Sequence, residues 1–282
     1  MRLPLFSSAR RRRLPASARI HATPDGAALT MPLPTARAGG DLLVCNGRLP
    51  GNARVARRGA ATLLLADFAA GVDATRCALA VTDALAKAQD DAPAAVDGLD
   101  EAVIEQAALD QLALDQAAIG ALLGKARVRA DAIVARDGGC EVRVPTGGVV
   151  RPVLVQADGD GLRLTHALLA VAPDATAGAT VEAMADHALR CNARIRHARL
   201  AQQGAQVRAE VRLAAAELTP DSLARAVRAV AALATHAAFA LQLLNEDGFV
   251  RAQYAHIVLG RAPRLNPESS HREGHQQSKE KP

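Results

Sequence analysis

Residues 45–60 read CNGRLPGNARVARRGA and residues 191–205 read CNARIRHARLAQQGA. A chain that writes such a segment twice is constrained first of all to build two related units, because self-similarity marks a duplicated structural element. With one residue inserted in the first copy, the two share Cys, Asn, Arg, Ala, Arg, Ala, Gly and Ala. Gly47/Ala193, Leu49/Ile195 and Val55/Leu200 are conservative replacements. Ala and Arg matches come cheaply in a chain so rich in both. Cys-Asn is different, because two of the four cysteines precede one of only five asparagines. A shuffled chain gives that on the order of once in several hundred trials. Cys45, Asn46, Cys191 and Asn192 are therefore read as one structural joint used twice.

The flanks of the two copies agree. Each leads into an apolar strand (residues 62–68 and 206–213), then a short gap, then a helix (residues 74–88 and 220–244). Ahead of the first copy, RIHATPDGAALTMPL reads as a hairpin turning at Pro24-Asp25-Gly26. The expected organisation is a basic disordered arm (1–19), a reduced N-terminal unit (20–95), a complete C-terminal unit with its connecting helix (96–260) and a disordered tail (261–282).

The C-terminal unit is the more legible. Residues 101–126 place Ile104, Ala108, Leu112, Ile119 and Leu122 at helical spacing. Three strands follow at 141–144, 151–157 and 161–171, with PTGG and DGDG supplying hairpin chemistry between them. A helix over 180–191 precedes strands at 194–201 and 205–213. In the second of these, Val207, Ala209, Val211 and Leu213 alternate with Arg208, Glu210 and Arg212. The last long helix opens with Thr219 as cap, Pro220 at the first position and Asp221 against the dipole. Its apolar stripe runs from Leu223 to Leu244, and a shorter helix covers 249–258. The pattern predicts an α+β fold with helices packed on antiparallel sheet.

Composition narrows the possible functions. There is no Trp, one Tyr and four Phe, so the core has to be built from Ala, Val and Leu. The net charge of +5 comes from the N-terminus, where residues 1–20 hold six arginines and no acid. The remainder is near neutral and offers no aromatic platform, so no specific nucleic-acid surface is expected. The arm lacks an apolar stretch after its arginines, which argues against export and for a cytoplasmic location. No run of 18 apolar residues occurs, so no membrane span is expected; the nearest approach, Val227 to Leu244, is broken by Arg228, His236 and Gln242. Four scattered cysteines without a CxxC pair read as free thiols.

With its layout of helix, three strands, helix, two strands, helix, the segment ALRCNARIRHARLAQQGAQVRAEVRLAAAELTPDSLARAVRAV resembles the YbjN-like and type III secretion chaperone-like superfamily. The features that carry the resemblance are Asn192 near the end of the middle helix, the hairpin over 194–213, and Thr219 with Leu223 opening the last helix. It covers residues 101–258 well and 20–90 in outline. The resemblance implies a non-enzymatic, chaperone- or adaptor-like module that binds a protein or peptide client without a cofactor. Secretion chaperones are typically small, acidic homodimers, whereas this chain is longer and near neutral. Two copies in one chain would imitate such a dimer internally, which leaves a monomer or a homodimer as the expected states.

Rival chemistry is sparse. His187 and Cys191 stand one helical turn apart and could form a nucleophile–base pair or half a metal site. Cys45 repeats Cys191 without a matching histidine, which favours a structural thiol. Asn46 and Asn192 are expected to bond backbone where the chain passes into a strand. The glycine-rich stretch 137–148 lacks the GK[ST] ending of a phosphate loop. Asp110, Asp115, Asp158 and Asp160 read as solvated, and His271 and His275 lie in the tail without cysteine partners. No catalytic, cofactor or metal residues are assigned, so no enzyme is expected. The alternatives are a thiol- or metal-dependent enzyme on Cys191 and His187, or a nucleic-acid or membrane-surface binder acting through the arginine arm.

Overall fold

The computed structural model describes residues 14–34, 39–90, 115–129, 132–159, 161–171 and 177–260. The arginines before residue 14, the tail from residue 261, and the first part of the expected 101–126 helix lie outside them. So do Asp110, Asp160, His271 and His275.

The first half runs β1 (Arg19–Thr23), β2 (Gly26–Leu33), α1 (Gly39–Asn46), β3 (Arg54–Arg58), β4 (Ala61–Ala69) and α2 (Ala74–Asp90). Its sheet has the order β1-β2-β4-β3, all antiparallel. The second half runs α3 (Gln116–Lys125), β5 (Ile133–Arg136), β6 (Gly139–Thr146), β7 (Val149–Asp158), β8 (Gly161–Ala170) and α4 (Ala177–Asn192). It continues through β9 (Arg199–Gln203), β10 (Gln206–Leu213), α5 (Pro220–Glu246) and α6 (Gly248–Ile257). Its antiparallel sheet has the order β5-β6-β7-β8-β10-β9. The described fold is thus α+β, with two antiparallel sheets and six α-helices. The run β7-β8-α4-β9-β10-α5 has the same element order and the same strand neighbours as β1-β2-α1-β3-β4-α2.

Local chemistry accounts for most boundaries. Thr219 accepts a hydrogen bond from Ser222 N at 3.1 Å, and Ser222 Oγ accepts one from Thr219 N at 2.8 Å. This reciprocal cap fixes the start of α5, with Pro220 at the first helical position. Where β8 begins, a β-carbon on Gly161 would lie 2.0 Å from Leu213 O, so only glycine lets β10 approach. By length and composition α5 could cross a bilayer, but its apolar stripe is buried against β8 and β10.

Four elements depart from the sequence expectation. The meander has four strands rather than three, because Asp137-Gly138 is the hairpin turn that joins β5 to β6. The strand expected from 194 begins at Arg199, after a turn in which His197 takes φ of 63°. In the first half, α1 and β3 were not anticipated. The eight residues of α1 are too few to show a period and open with two glycines, so packing rather than propensity holds it helical.

That packing crosses the midline. Helix α1 lies on β9 of the second half, and α4 lies on β3 of the first. A β-carbon on Gly39 would sit 3.3 Å from Ala185 Cβ, and one on Gly40 3.2 Å from Val181 Cγ1, so the two helices touch almost at backbone distance. The cores are exchanged in consequence. Leu43 of α1 is buried in the second-half core, whereas Leu189 of α4 is buried in the first-half core. Both stand two residues before the Cys-Asn pair of their copy.

Truncating Leu189 therefore removes core from the other half. Leu189→Ala is expected to cost about 2–5 kcal/mol and to lower amide exchange protection in β3 and β4. Loss of protection confined to the second half would contradict the exchange.

Candidate functional site

The repeated segment forms the seam between the halves. Strand β3 ends one sheet and β9 ends the other, and an edge strand leaves backbone groups that need partners when buried. Asn46 and Asn192, both fully buried, supply them. Val55 N donates to Asn46 Oδ1 at 2.5 Å, and Asn46 Nδ2 donates to Val55 O at 3.1 Å. Leu200 N donates to Asn192 Oδ1 at 2.7 Å, and Asn192 Nδ2 donates to Leu200 O at 3.0 Å. Each amide also reaches across the seam. Asn46 Nδ2 lies 3.3 Å from Leu200 O, and Asn192 Nδ2 lies 3.3 Å from Val55 O. Val55 and Leu200 are matched positions in the repeat, so the arrangement has an approximate two-fold axis.

Two arginines follow the same symmetry. Arg54 Nε donates to Asn192 O at 3.0 Å, capping the end of α4. Its counterpart Arg199 donates to Leu49 O at 2.7 Å and Ala53 O at 2.6 Å, in the turn after α1. Each is neutralised within its own sheet: Arg54 by Asp67 at 2.6 Å and Arg199 by Glu210 at 2.7 Å. Glu210 is fully buried and also accepts from Arg163 at 3.0 Å and Arg208 at 3.1 Å. These arginines were missed from sequence. The signal was present, because Arg54/Arg199 is one of the repeat's identical pairs, but Arg abundance hid it.

A second buried carboxylate joins three elements. Asp186 on α4 accepts from Arg57 of β3, from Arg190 at 2.6 Å and from Tyr254 of α6 at 2.8 Å. Burial alone would raise its pKa, but the hydrogen bonds from Arg190, Arg57 and Tyr254 outweigh burial and hold the carboxyl below its ordinary value. The tyrosine hydroxyl moves the other way, raised by burial and by its bond to Asp186.

Cys191 and His187 do share a face, with Sγ 3.6 Å from Nε2. Burial pushes the Cys191 thiol up to about 11, and burial with the nearby His236 lowers the His187 pKa. Both groups are therefore neutral near pH 7. A thiol nucleophile or zinc ligand needs the opposite shift, toward thiolate. Cys45 is also buried, its Sγ 3.7 Å from Ala88 O. Among the described residues no three His, Cys, Asp or Glu side chains converge as a metal site would require. Asp115 caps α3 by accepting from Ala118 N at 2.7 Å, and Asp158 pairs with Arg212 at 3.3 Å.

Cavities open on the surface of the described residues, two of which bear on function. One of about 300 Å³ lies at the seam, between the β1–β2 turn, Asn52, Asp67, His197 and the first turn of α5. Its charges are mixed: Asp25, Asp67 and Glu217 stand with Arg196 and Arg225. The other, of about 410 Å³, lies between the α3–β5 connection, β6 and α5. Comparison of the chain with family models, with characterised proteins and with solved structures gives no match.

Two expectations follow from the buried polar groups. Asn46→Ala and Asn192→Ala should each cost about 1–3 kcal/mol, since each strands buried backbone groups, and a double-mutant cycle should show coupling. Strictly additive costs would mean that the amides act separately. For Asp186, a depressed native pKa contributes stability above the unfolded value, which is lost as pH falls through the native one. Tyr254→Phe removes one of the three donors. Urea melts should show its cost at pH 7 and a progressively smaller cost as pH falls below the ordinary carboxylate range and through the depressed native value.

Proposed function

We propose that the protein is a non-enzymatic protein-binding module, chaperone- or adaptor-like, for a protein or peptide client. The observation that carries this reading is where its few aromatic residues lie. Of four phenylalanines in the chain, Phe239 on α5 is 73% exposed and Phe249 on α6 is 72% exposed. A chain this poor in aromatics has reason to bury each one, and exposed aromatics are favoured anchors in protein interfaces. Most of the buried polar groups described are occupied in the seam: Asn46, Asn192, Arg54, Arg199, Asp186 and Glu210 all bond across it or brace a group that does.

The proposed ancestry is a tandem of two type III secretion chaperone-like or YbjN-like units, the first reduced. The shared strand order of the halves supports the tandem, and the crossed helices support an internal pseudo-dimer that makes the monomer complete. The additional strand β5 departs from the family layout. A cytoplasmic location without membrane insertion completes the reading. The thiol-enzyme alternative is less well supported, because it has to begin from a neutral, buried Cys191.

Affinity capture from the native host, using protein shown to be folded, tests this. Phe239→Glu and Phe249→Glu should leave stability within about 0.5 kcal/mol of the parent, as exposed sites do, and should abolish capture of a specific partner. Partner capture indifferent to both substitutions, or a folded bait that captures nothing, would count against the reading.

A further inference from the structure

The 410 Å³ groove has a floor and a rim of different character. Its floor is aliphatic: Val142 and Val227 are buried, Val144 is half-buried, and Val150 at its edge is 60% exposed. The described residues that line it include four arginines and no carboxylate. Arg143 is paired with Glu141 at 3.4 Å. Arg127 and Arg228 are exposed and have no partner among the described residues.

Arg127 occupies an unusual place. It follows the last turn of α3 with φ of 59°, its N–H bonded to Gly124 O at 3.0 Å, while Val128 N donates to Leu123 O at 3.1 Å. That pair of bonds is the helix-ending motif whose left-handed position normally holds glycine. An arginine accepts backbone strain there and projects a cation at the groove. Positive charge around an aliphatic trough with no acid in its described lining is complementary to an amphipathic acidic chain.

We propose that this groove docks an acidic amphipathic segment of a partner protein, with its apolar side chains on the valine floor and its carboxylates against Arg127 and Arg228. The inference rests on the protein-binding reading and specifies the chemistry of the partner. A concave trough of this size suits side chains from one helix or strand better than a flat bilayer, and its described lining has no aromatic ring for base stacking.

The probe is a fluorescent peptide of about 16 residues, a little over four helical turns, with leucines at spacings of three and four and glutamates between, titrated onto the full chain. Its counterpart carries lysine for every glutamate. Saturable binding of the glutamate peptide alone is expected, weakening steeply with added salt and falling about tenfold or more in the Arg127→Glu/Arg228→Glu double variant. Val150→Asp, at an exposed position, should weaken it without unfolding the protein. Equal binding of both peptides, or no loss in the double variant, overturns the proposal. So does displacement by anionic phosphatidylserine vesicles or by a second copy of the chain. Tighter peptide binding after Glu101, Glu105 and Asp110 are changed to glutamine would also overturn it, by assigning the groove to the chain's own acidic stretch. A captured partner that still binds the double variant sinks this inference and leaves the protein-binding reading standing. Peptide binding with no captured partner supports the groove's preference for an acidic segment and counts against the protein-binding reading.

Discussion

The structure depends on how two sheet edges are buried against each other. Strands β3 and β9 meet near an approximate two-fold axis, and a buried edge with unpaired N–H and C=O groups is among the costlier arrangements a fold can contain. Two primary amides resolve it. Asn46 and Asn192 each satisfy both backbone groups of one edge residue in their own half, and each also reaches the carbonyl of the matched residue in the other half. No shorter polar side chain offers a donor and an acceptor at this reach. The repeated Cys-Asn marks where this joint is made, with the small, buried cysteines filling space beside it.

Around that joint the halves are interlocked rather than apposed. Exchange of Leu43 and Leu189 between cores, close approach of α1 and α4 through Gly39, Gly40 and Ala185, and reciprocal capping by Arg54 and Arg199 all cross the seam. The division at residue 95 therefore describes the order of the chain more than a gap in its packing. A core made largely of alanine, valine and leucine suits this, because small side chains permit near-backbone contact of helices without requiring aromatic volume to be accommodated. The buried ion pairs serve the same end. Arg199 with Glu210, and Asp186 with Arg57, Arg190 and Tyr254, are satisfied on several sides, the condition under which buried charge is tolerated. With these groups committed to architecture, the proposed binding role falls to two exposed phenylalanines and an arginine-rimmed groove.

Strong local signals in the sequence predict the elements that the structure shows. The cap at Thr219, the alternation in β10, the Pro24-Asp25 turn and the long stripe of α5 all depend on residues within a few positions of one another. Short elements escaped notice. Helix α1 has eight residues and two leading glycines, and β5 has four residues before its Asp137-Gly138 turn, so neither has a period long enough to recognise. The site was legible only as a repetition. Cys-Asn stood out by rarity, whereas Arg54 and Arg199 disappeared into an arginine-rich background.

The sequence by itself determined the α+β class, the cap at Thr219, the turns at Pro24-Asp25 and between β7 and β8, and the faces that seek burial, because each follows from neighbours along the chain. Only the tertiary structure decided which half each buried face would join. Arg199 finds Leu49 at 150 residues' separation, and Asn46 finds Leu200 at 154. Periodicity states that a side chain will be buried, but the identity of its partner is set by how helices and sheets close against one another in space.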